Sequence, residues 1–130
     1  MNEMKIILGE NKKVEAHYKG LTIYTDQPEK AGGDESAPAP FDLFLASIGT
    51  CAGFYVQAFC NQRGISTEQI ELVQKMHYDK ETRMIGTIEI DILLPSDFPE
   101  QYKNSVVRAA ESCTVKKHIS NSPEFVLNVK

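Results

Sequence analysis

The stretch that decides the fold is "FDLFLASIGTCAGFYVQAFCNQR", residues 41–63. It contains no proline and predicts one long helix, which Pro40 suits as a first-turn residue and Gly64 can end. Apolar side chains lie on nearly every face, so the helix is either buried or crosses a membrane. Polar residues inside it (Asp42, Ser47) and strand-rich sequence on both sides favour burial in a soluble protein, without a membrane.

One small domain can hardly surround a helix that is apolar on all sides. A second copy of the chain would supply the missing cover, so the sequence predicts a homodimer. Gly49 and Gly53 lie inside the helix, where each costs up to ~1 kcal/mol relative to alanine. Close packing is therefore expected at these two positions.

The sequence on either side of the helix predicts strands and one further helix. Short β-rich runs precede it: KIILGE, KVEAHYKG and LTIYTD. Two alternating runs, IELVQKMHYD and MIGTIEIDILLP, follow and form a hairpin. A second helix, capped by Ser96 or Asp97, and a closing strand in NSPEFVLNVK complete the chain. The predicted class is α+β, in the order βββ-α-ββ-α-β, as a single domain over residues 1–130.

Composition excludes several functions. The net charge of −4 and the lack of a lysine or arginine run argue against a nucleic-acid partner. The first residues lack the pattern of a secretory signal. Three cysteines are an odd number, too few for a disulfide scaffold, and fit a reducing compartment. We therefore expect a cytoplasmic protein whose cysteines are free thiols, metal ligands or redox groups.

The three cysteines differ in their settings. Cys51 and Cys60 are nine residues apart, so they point to opposite sides of the helix and cannot pair with each other. Cys60 is best interpreted as packing. Cys113 is followed by Lys116 and Lys117, whose positive charge would favour its thiolate; a helix-end cysteine beside surface lysines would look the same.

Metal binding has weaker support. Cys51, Cys113 and His118 could together hold zinc, but the close ligand spacing of short zinc motifs is missing. No phosphate-binding loop, CxxC pair or serine nucleophile motif occurs either. We expect neither a metal nor a cofactor.

Two motifs carry a resemblance to a known family. "PAPFDLFLASIGTCAGFYV" resembles the central-helix motif of the OsmC/Ohr family, in which a proline and an acidic residue precede a helix that carries a cysteine. "AAESCTVKKHI" is similar to the second family motif, where a cysteine precedes a short helix. The size and the predicted order of elements also fit, so the resemblance covers essentially the whole chain.

The resemblance implies a fold and a chemistry. The fold is an intertwined homodimer with two central helices. Cys51 would attack the O–O bond of a hydroperoxide and become a sulfenic acid. Cys113 would then form a disulfide with it, which an external dithiol, such as a lipoyl group, would reduce. An apolar wall that includes Phe41 and Phe44 would favour organic hydroperoxides as substrates.

The sequence departs from the organic-peroxide branch of that family. That branch places an arginine on its N-terminal strands and a glutamate ten residues before the first cysteine. Here the first arginine is Arg63, and Phe41 occupies the glutamate position. Asp42 is the nearest acidic residue and the candidate for an auxiliary role at the site. On one straight helix it would point away from Cys51, and the alternative is that it is a partner of the helix dipole. The cation that activates Cys51 stays unassigned, with Lys19, Lys30 or a residue of the partner subunit as candidates.

The departures leave alternatives open. The same fold could serve as a binding module for a hydrophobic small molecule, with the cysteines merely buried. A different cysteine-based enzyme, such as a thiol transferase or a hydrolase, is also compatible with the sequence. Reactivity of Cys51 towards peroxide distinguishes the peroxidase hypothesis from these two alternatives.

Overall fold

The structure is a computed structural model that describes residues 2–130. The chain forms two compact units, residues 1–46 and Ser47–Lys130. The strands are β1 (Lys5–Leu8), β2 (Val14–Tyr18), β3 (Leu21–Thr25), β4 (Glu71–Tyr78) and β5 (Ile85–Leu93). The α-helices are α1 (Pro40–Gln62), α2 (Lys103–Glu111) and α3 (Thr114–Ser120). Single 3-10 turns occur at Glu29–Ala31 and Glu100–Tyr102.

In the first unit, β1, β2 and β3 form an antiparallel meander. Lys19 and Gly20 connect β2 to β3, with φ angles of 52° and 75°. Two consecutive positive φ angles are the geometry of the tight hairpin turn that matches the twist of paired strands. Tyr18 then lies opposite Leu21.

A buried carboxylate organises the loop after β3. Asp26 is fully buried and accepts hydrogen bonds from the backbone N–H groups of Gln27, Asp34 and Ser36 and from the Ser36 hydroxyl. Lys13 lies 3.8 Å away and adds opposite charge. Since every hydrogen-bond donor to Asp26 comes from the loop, this carboxylate holds residues 27–36 in one conformation.

The beginning of α1 is stabilised by an acidic side chain. Ala39 precedes the helix, and its backbone N–H donates to Oδ2 of Asp42 at 3.3 Å. This is the reciprocal half of a capping box, with the acid at the third helical position. The contact agrees with the interpretation of Asp42 as a partner of the helix terminus.

The end and the interior of α1 show what its glycines do. Gly64 has a φ of +66° and ends the helix as predicted. A Cβ at Gly49 would lie 2.5 Å from Oε1 of Gln74 on β4. The expected close packing is therefore present at Gly49, but nothing lies within 4 Å of a Cβ at Gly53.

The core of the second unit lies between α1, α2 and the β4–β5 hairpin. Four buried side chains form its centre: Val56, Cys60, Phe98 and Val106. On β5, Ile88, Ile90 and Ile92 turn inward while Glu89 stays exposed, which confirms the predicted alternation. The hairpin register pairs Met76 with Ile88 and Gln74 with Ile90.

Two predicted features are wrong. The second helix does not start at Ser96 or Asp97; α2 begins at Lys103 without a side-chain cap. Pro99 accounts for the lack of a helix before it, because a proline disfavours helical geometry in the preceding residue, and the 3-10 turn Glu100–Tyr102 then leads into α2. The closing strand is also absent, since residues 122–130 pair with no other described segment.

Much apolar surface of the chain stays uncovered. Phe125, Leu127 and Val129 are 81%, 95% and 102% exposed, respectively. Helix α1 is long and apolar enough to cross a bilayer by length and composition, and only 22% of its most apolar window is buried within the chain. A core helix of a soluble protein passes the same test, but this one lacks full cover.

Candidate functional site

Two of the three cysteines meet in the second unit. Cys51, on α1, is half-buried, and Cys113, between α2 and α3, is 2% exposed. Their side chains share a hydrogen bond, and both are free thiols. The two cysteines are 62 positions apart in the chain and are brought together by the packing of α2 and α3 on α1.

The pKa of Cys51 is lowered. Burial acts against this by raising the pKa, but three hydrogen-bond donors outweigh it: the Val115 backbone N–H, the Cys113 thiol and the Thr114 backbone N–H. Hydrogen bonds to the charged form favour that form. The sequence offered no cation that would lower the pKa of Cys51. In the structure, N–H groups in the first turn of α3 lower it instead.

The pKa of Cys113 is raised. Burial is the largest cause, and the neighbouring Cys51 adds to it, while the backbone N–H of Lys116 acts in the opposite direction. That N–H donates to Sγ of Cys113 at 3.4 Å, and Sγ lies 3.9 Å from the Ile48 carbonyl oxygen. The expectation that Lys116 and Lys117 favour the Cys113 thiolate is therefore wrong, because burial raises the pKa and the contributions that lower it come from backbone N–H groups, not from lysine charges.

The opposite shifts give the pair a defined polarity. Of the two thiols, Cys51 therefore ionises at the lower pH, and Cys113 keeps its proton to higher pH. A half-buried thiol that ionises first, beside one that keeps its proton, is the arrangement that a nucleophile and a resolving cysteine require.

A hydroxyl pair links the two helices beside the cysteines. Tyr55 lies one turn beyond Cys51 on α1, and its hydroxyl lies 2.8 Å from the hydroxyl of Thr114. Thr114 is the first residue of α3. The same short segment therefore contacts α1 through a side chain and approaches Cys51 through its backbone.

An apolar cavity of about 420 Å³ lies next to Cys113. Ile48 and Ala52 of α1, isoleucines of β5 and side chains of α2 and α3 form its wall. Glu111 and Lys116 are the charged residues of the lining. All of the lining residues belong to the second unit, and the cavity is large enough for a small organic molecule.

The other candidate residues lie in different settings. Cys60 is buried in the core, where burial raises its pKa, in agreement with a packing role. Arg63 stacks its guanidinium 3.7 Å from the centre of the Phe59 ring. Phe41 and Phe44 stack at 5.6 Å between ring centres in the first unit and stay exposed; their place in a substrate pocket remains a prediction.

The structure does not support the hypothesis of a zinc site formed by Cys51, Cys113 and His118. Nδ1 of His118 lies 2.8 Å from the Thr114 carbonyl, within its own helix. Among residues 2–130, no three histidine, cysteine or acidic side chains cluster as metal ligands would.

The fold and the cysteine pair can now be compared with known proteins. A family model of OsmC-like proteins matches residues 32–128. The chain belongs to the OsmC-like family. The matched range includes α1, both cysteines of the pair and α3. A search of proteins with curated functions finds no match.

Solved structures share the OsmC-like fold at low identity. A Psychrobacter arcticus protein named for osmotic stress and detoxification is 18% identical, with a TM-score of 0.74 over 90% of this chain and 87% of that one. The organic hydroperoxide resistance protein OsmC of Legionella pneumophila is 21% identical, with a TM-score of 0.54 over 92% and 88%. OhrB of Bacillus subtilis is 19% identical, with a TM-score of 0.51 over 93% and 92%.

Sequence reasoning missed the groups that act on Cys51 in this OsmC-like protein. They are backbone N–H groups of Thr114 and Val115, which carry no side-chain signature. Tyr55 was also missed, because a tyrosine in an apolar helix resembles core. The available signal was the spacing of Cys51 and Tyr55, which places both on one face of α1.

Proposed function

We propose that this OsmC-like protein is a thiol-dependent peroxidase that reduces organic hydroperoxides. The observation that carries the proposal is the hydrogen-bonded pair of Cys51 and Cys113, with the pKa of one lowered and that of the other raised. Membership of a family that contains hydroperoxide resistance proteins is consistent with this chemistry.

In the first step, the Cys51 thiolate attacks the terminal oxygen of the hydroperoxide. An S–O bond forms while the O–O bond breaks, and the alkoxide leaves with a proton from water as an alcohol. Sulfur loses two electrons and becomes a sulfenic acid. The lowered pKa of Cys51 increases the fraction of the thiolate that this attack needs.

In the second step, the Cys113 sulfur attacks the Cys51 sulfur. An S–S bond forms, the S–O bond breaks, and hydroxide leaves as water with the proton that Cys113 carried. The raised pKa of Cys113 keeps that proton on the thiol until it is needed. An external dithiol then reduces the disulfide by exchange and is itself oxidised.

A peroxide assay tests the proposal. The protein is incubated with cumene hydroperoxide and dihydrolipoamide, and the loss of peroxide is followed. We expect catalytic turnover that Cys51→Ser abolishes and that Cys60→Ser, a matched change elsewhere on α1, preserves. Equal peroxide consumption by wild type and Cys51→Ser would refute the proposal.

We also propose that the active protein is a cytoplasmic homodimer. The uncovered apolar side chains of α1 and of residues 122–130 support this, because a soluble chain rarely exposes so much apolar surface. Light scattering after gel filtration tests it, with a mass of twice 14.6 kDa expected. A monomer that stays in solution, or a protein that pellets with membranes, would contradict it.

The cavity favours a second candidate function. A pocket of about 420 Å³ with an aliphatic wall suits a hydrophobic ligand, so the fold could act as a binding module without peroxidase activity. Native mass spectrometry distinguishes the two. A retained small molecule, together with a Cys51 that does not react with peroxide, would support binding over catalysis.

A further inference from the structure

Helix α3 has little of its own to hold it in place. It is seven residues long and contains no buried residue. Helices this short are unstable in isolation and depend on tertiary contacts. The contacts that α3 and its N-cap make with α1 are therefore decisive for where its first turn lies.

Two such contacts flank the reactive cysteine. The buried Cys113 thiol reaches the Ile48 carbonyl at 3.9 Å, before Cys51 on α1. The Thr114 hydroxyl reaches the Tyr55 hydroxyl at 2.8 Å, one turn after Cys51. The first turn of α3 is thus pinned to α1 on both sides of Cys51.

We propose that Tyr55 is a positioning residue, whose hydrogen bond to Thr114 holds the backbone N–H groups of Thr114 and Val115 against the Cys51 sulfur. Tyr55 does not touch the reacting sulfur in this role. It acts through α3, and the inference rests on the proposed use of Cys51 as the nucleophile.

The role predicts a specific change in reactivity. Without the Tyr55 hydroxyl, the first turn of α3 moves away from α1. The Cys51 thiolate then loses the hydrogen bonds that the backbone N–H groups of this turn donate to it. The pH at which Cys51 becomes reactive then rises. Below that pH, we expect a roughly fivefold slower reaction of Cys51, the factor that one hydrogen bond contributes to an equilibrium.

The test uses alkylation rather than peroxide, so that it does not depend on turnover. The full-length protein is treated with iodoacetamide between pH 5 and pH 10, and modification of Cys51 is quantified by fragment masses. Cys113 is quantified separately, and the charged residues that line the neighbouring cavity, Glu111 and Lys116, are the same in every variant. Tyr55→Phe removes one hydroxyl of the pair, and Thr114→Val removes the other at the protein surface.

Matched variants separate positioning from general loosening. Thr114→Ser keeps a hydroxyl and should keep the wild-type profile. Tyr102→Phe removes a tyrosine hydroxyl from the core side of the unit and should leave the profile unchanged. The double variant Tyr55→Phe/Thr114→Val should be no worse than either single one, because both remove the same bond.

The outcomes are distinct. A profile shifted to higher pH in Tyr55→Phe and Thr114→Val, with normal circular dichroism, supports the positioning role. An unchanged profile in a folded Thr114→Val protein, or an equal shift in Tyr102→Phe, overturns it. If the profile shifts but wild type consumes no peroxide, the positioning role stands and the proposed peroxidase function fails.

Discussion

Replacing Cys60 with serine should lower stability and leave peroxide consumption unchanged, whereas the same change at Cys51 should do the opposite. Cys60 is 0% exposed and packs against Val56, Phe98 and Val106. Burying a hydroxyl without a good partner costs about 1–3 kcal/mol. A serine in a helix can bond to the carbonyl four residues back, which recovers part of this. We therefore expect a loss of about 1–2 kcal/mol in the free energy of unfolding.

That loss converts into a melting temperature. A chain of this length has an unfolding entropy of about 0.27 kcal/mol/K, so the melting temperature of Cys60→Ser should fall by about 4–7 °C. Calorimetry at one fixed protein concentration measures it, since assembly would make the value depend on concentration. Peroxide consumption by the folded variant should match that of wild type.

Cys51→Ser is the matched control, because the same chemical change falls on a half-buried side chain outside the core cluster. Its melting temperature should stay close to wild type while its peroxide consumption is lost. An unchanged melting temperature in Cys60→Ser would refute the placement of Cys60 in the core. Loss of activity in a folded Cys60→Ser protein would refute its role as packing alone.

Cys113→Ser should consume one equivalent of peroxide and then stop, with a sulfenic acid trapped on Cys51 that dimedone labels; turnover at the wild-type rate would argue against a resolving role for Cys113. Gly33→Ala should lower the free energy of unfolding by about 3 kcal/mol or more in urea titrations, because its Cβ would lie 2.0 Å from a backbone oxygen. Gly86→Ala is its control, since the nearest atom is 3.4 Å away, and an equal loss there would contradict the steric argument. The Ser36 hydroxyl and nearby backbone N–H groups, against the effect of burial, hold the pKa of Asp26 far below its usual range. The stabilising contribution of the Asp26 carboxylate is therefore complete above about pH 4 and is lost as the pH falls further. Asp26→Asn should flatten the acid limb of the curve of unfolding free energy against pH. An unchanged acid limb would count against this role.

Local sequence patterns were enough to predict most of the helices and strands. The apolar run of α1, with Gly64 at its end, gave the helix within one residue at each terminus. Alternation in β5 identified the inward face, because side chains of a strand alternate between two sides. The start of α2 was missed, since the sequence offers plausible caps before Pro99, and the constraint from that proline outweighs them.

The site was predictable in part for the same reason. Cys51 and Cys113 were identified by the motifs around them, and helix geometry alone excluded a Cys51–Cys60 pair. The direction of the Cys113 pKa was predicted wrongly. Lysines near it in sequence suggested a thiolate, but burial of its sulfur depends on packing against α1, which the local sequence does not encode.

The sequence by itself determined the secondary structure around α1, the α+β class and the two cysteines of the pair. Only the tertiary structure showed what lowers the pKa of Cys51 relative to that of Cys113. The lower pKa depends on the backbone N–H groups of Thr114 and Val115, and on the Tyr55 contact that we propose places them. Every residue except proline carries such an N–H group, so its effect on a distant thiol follows from position in space and not from residue type.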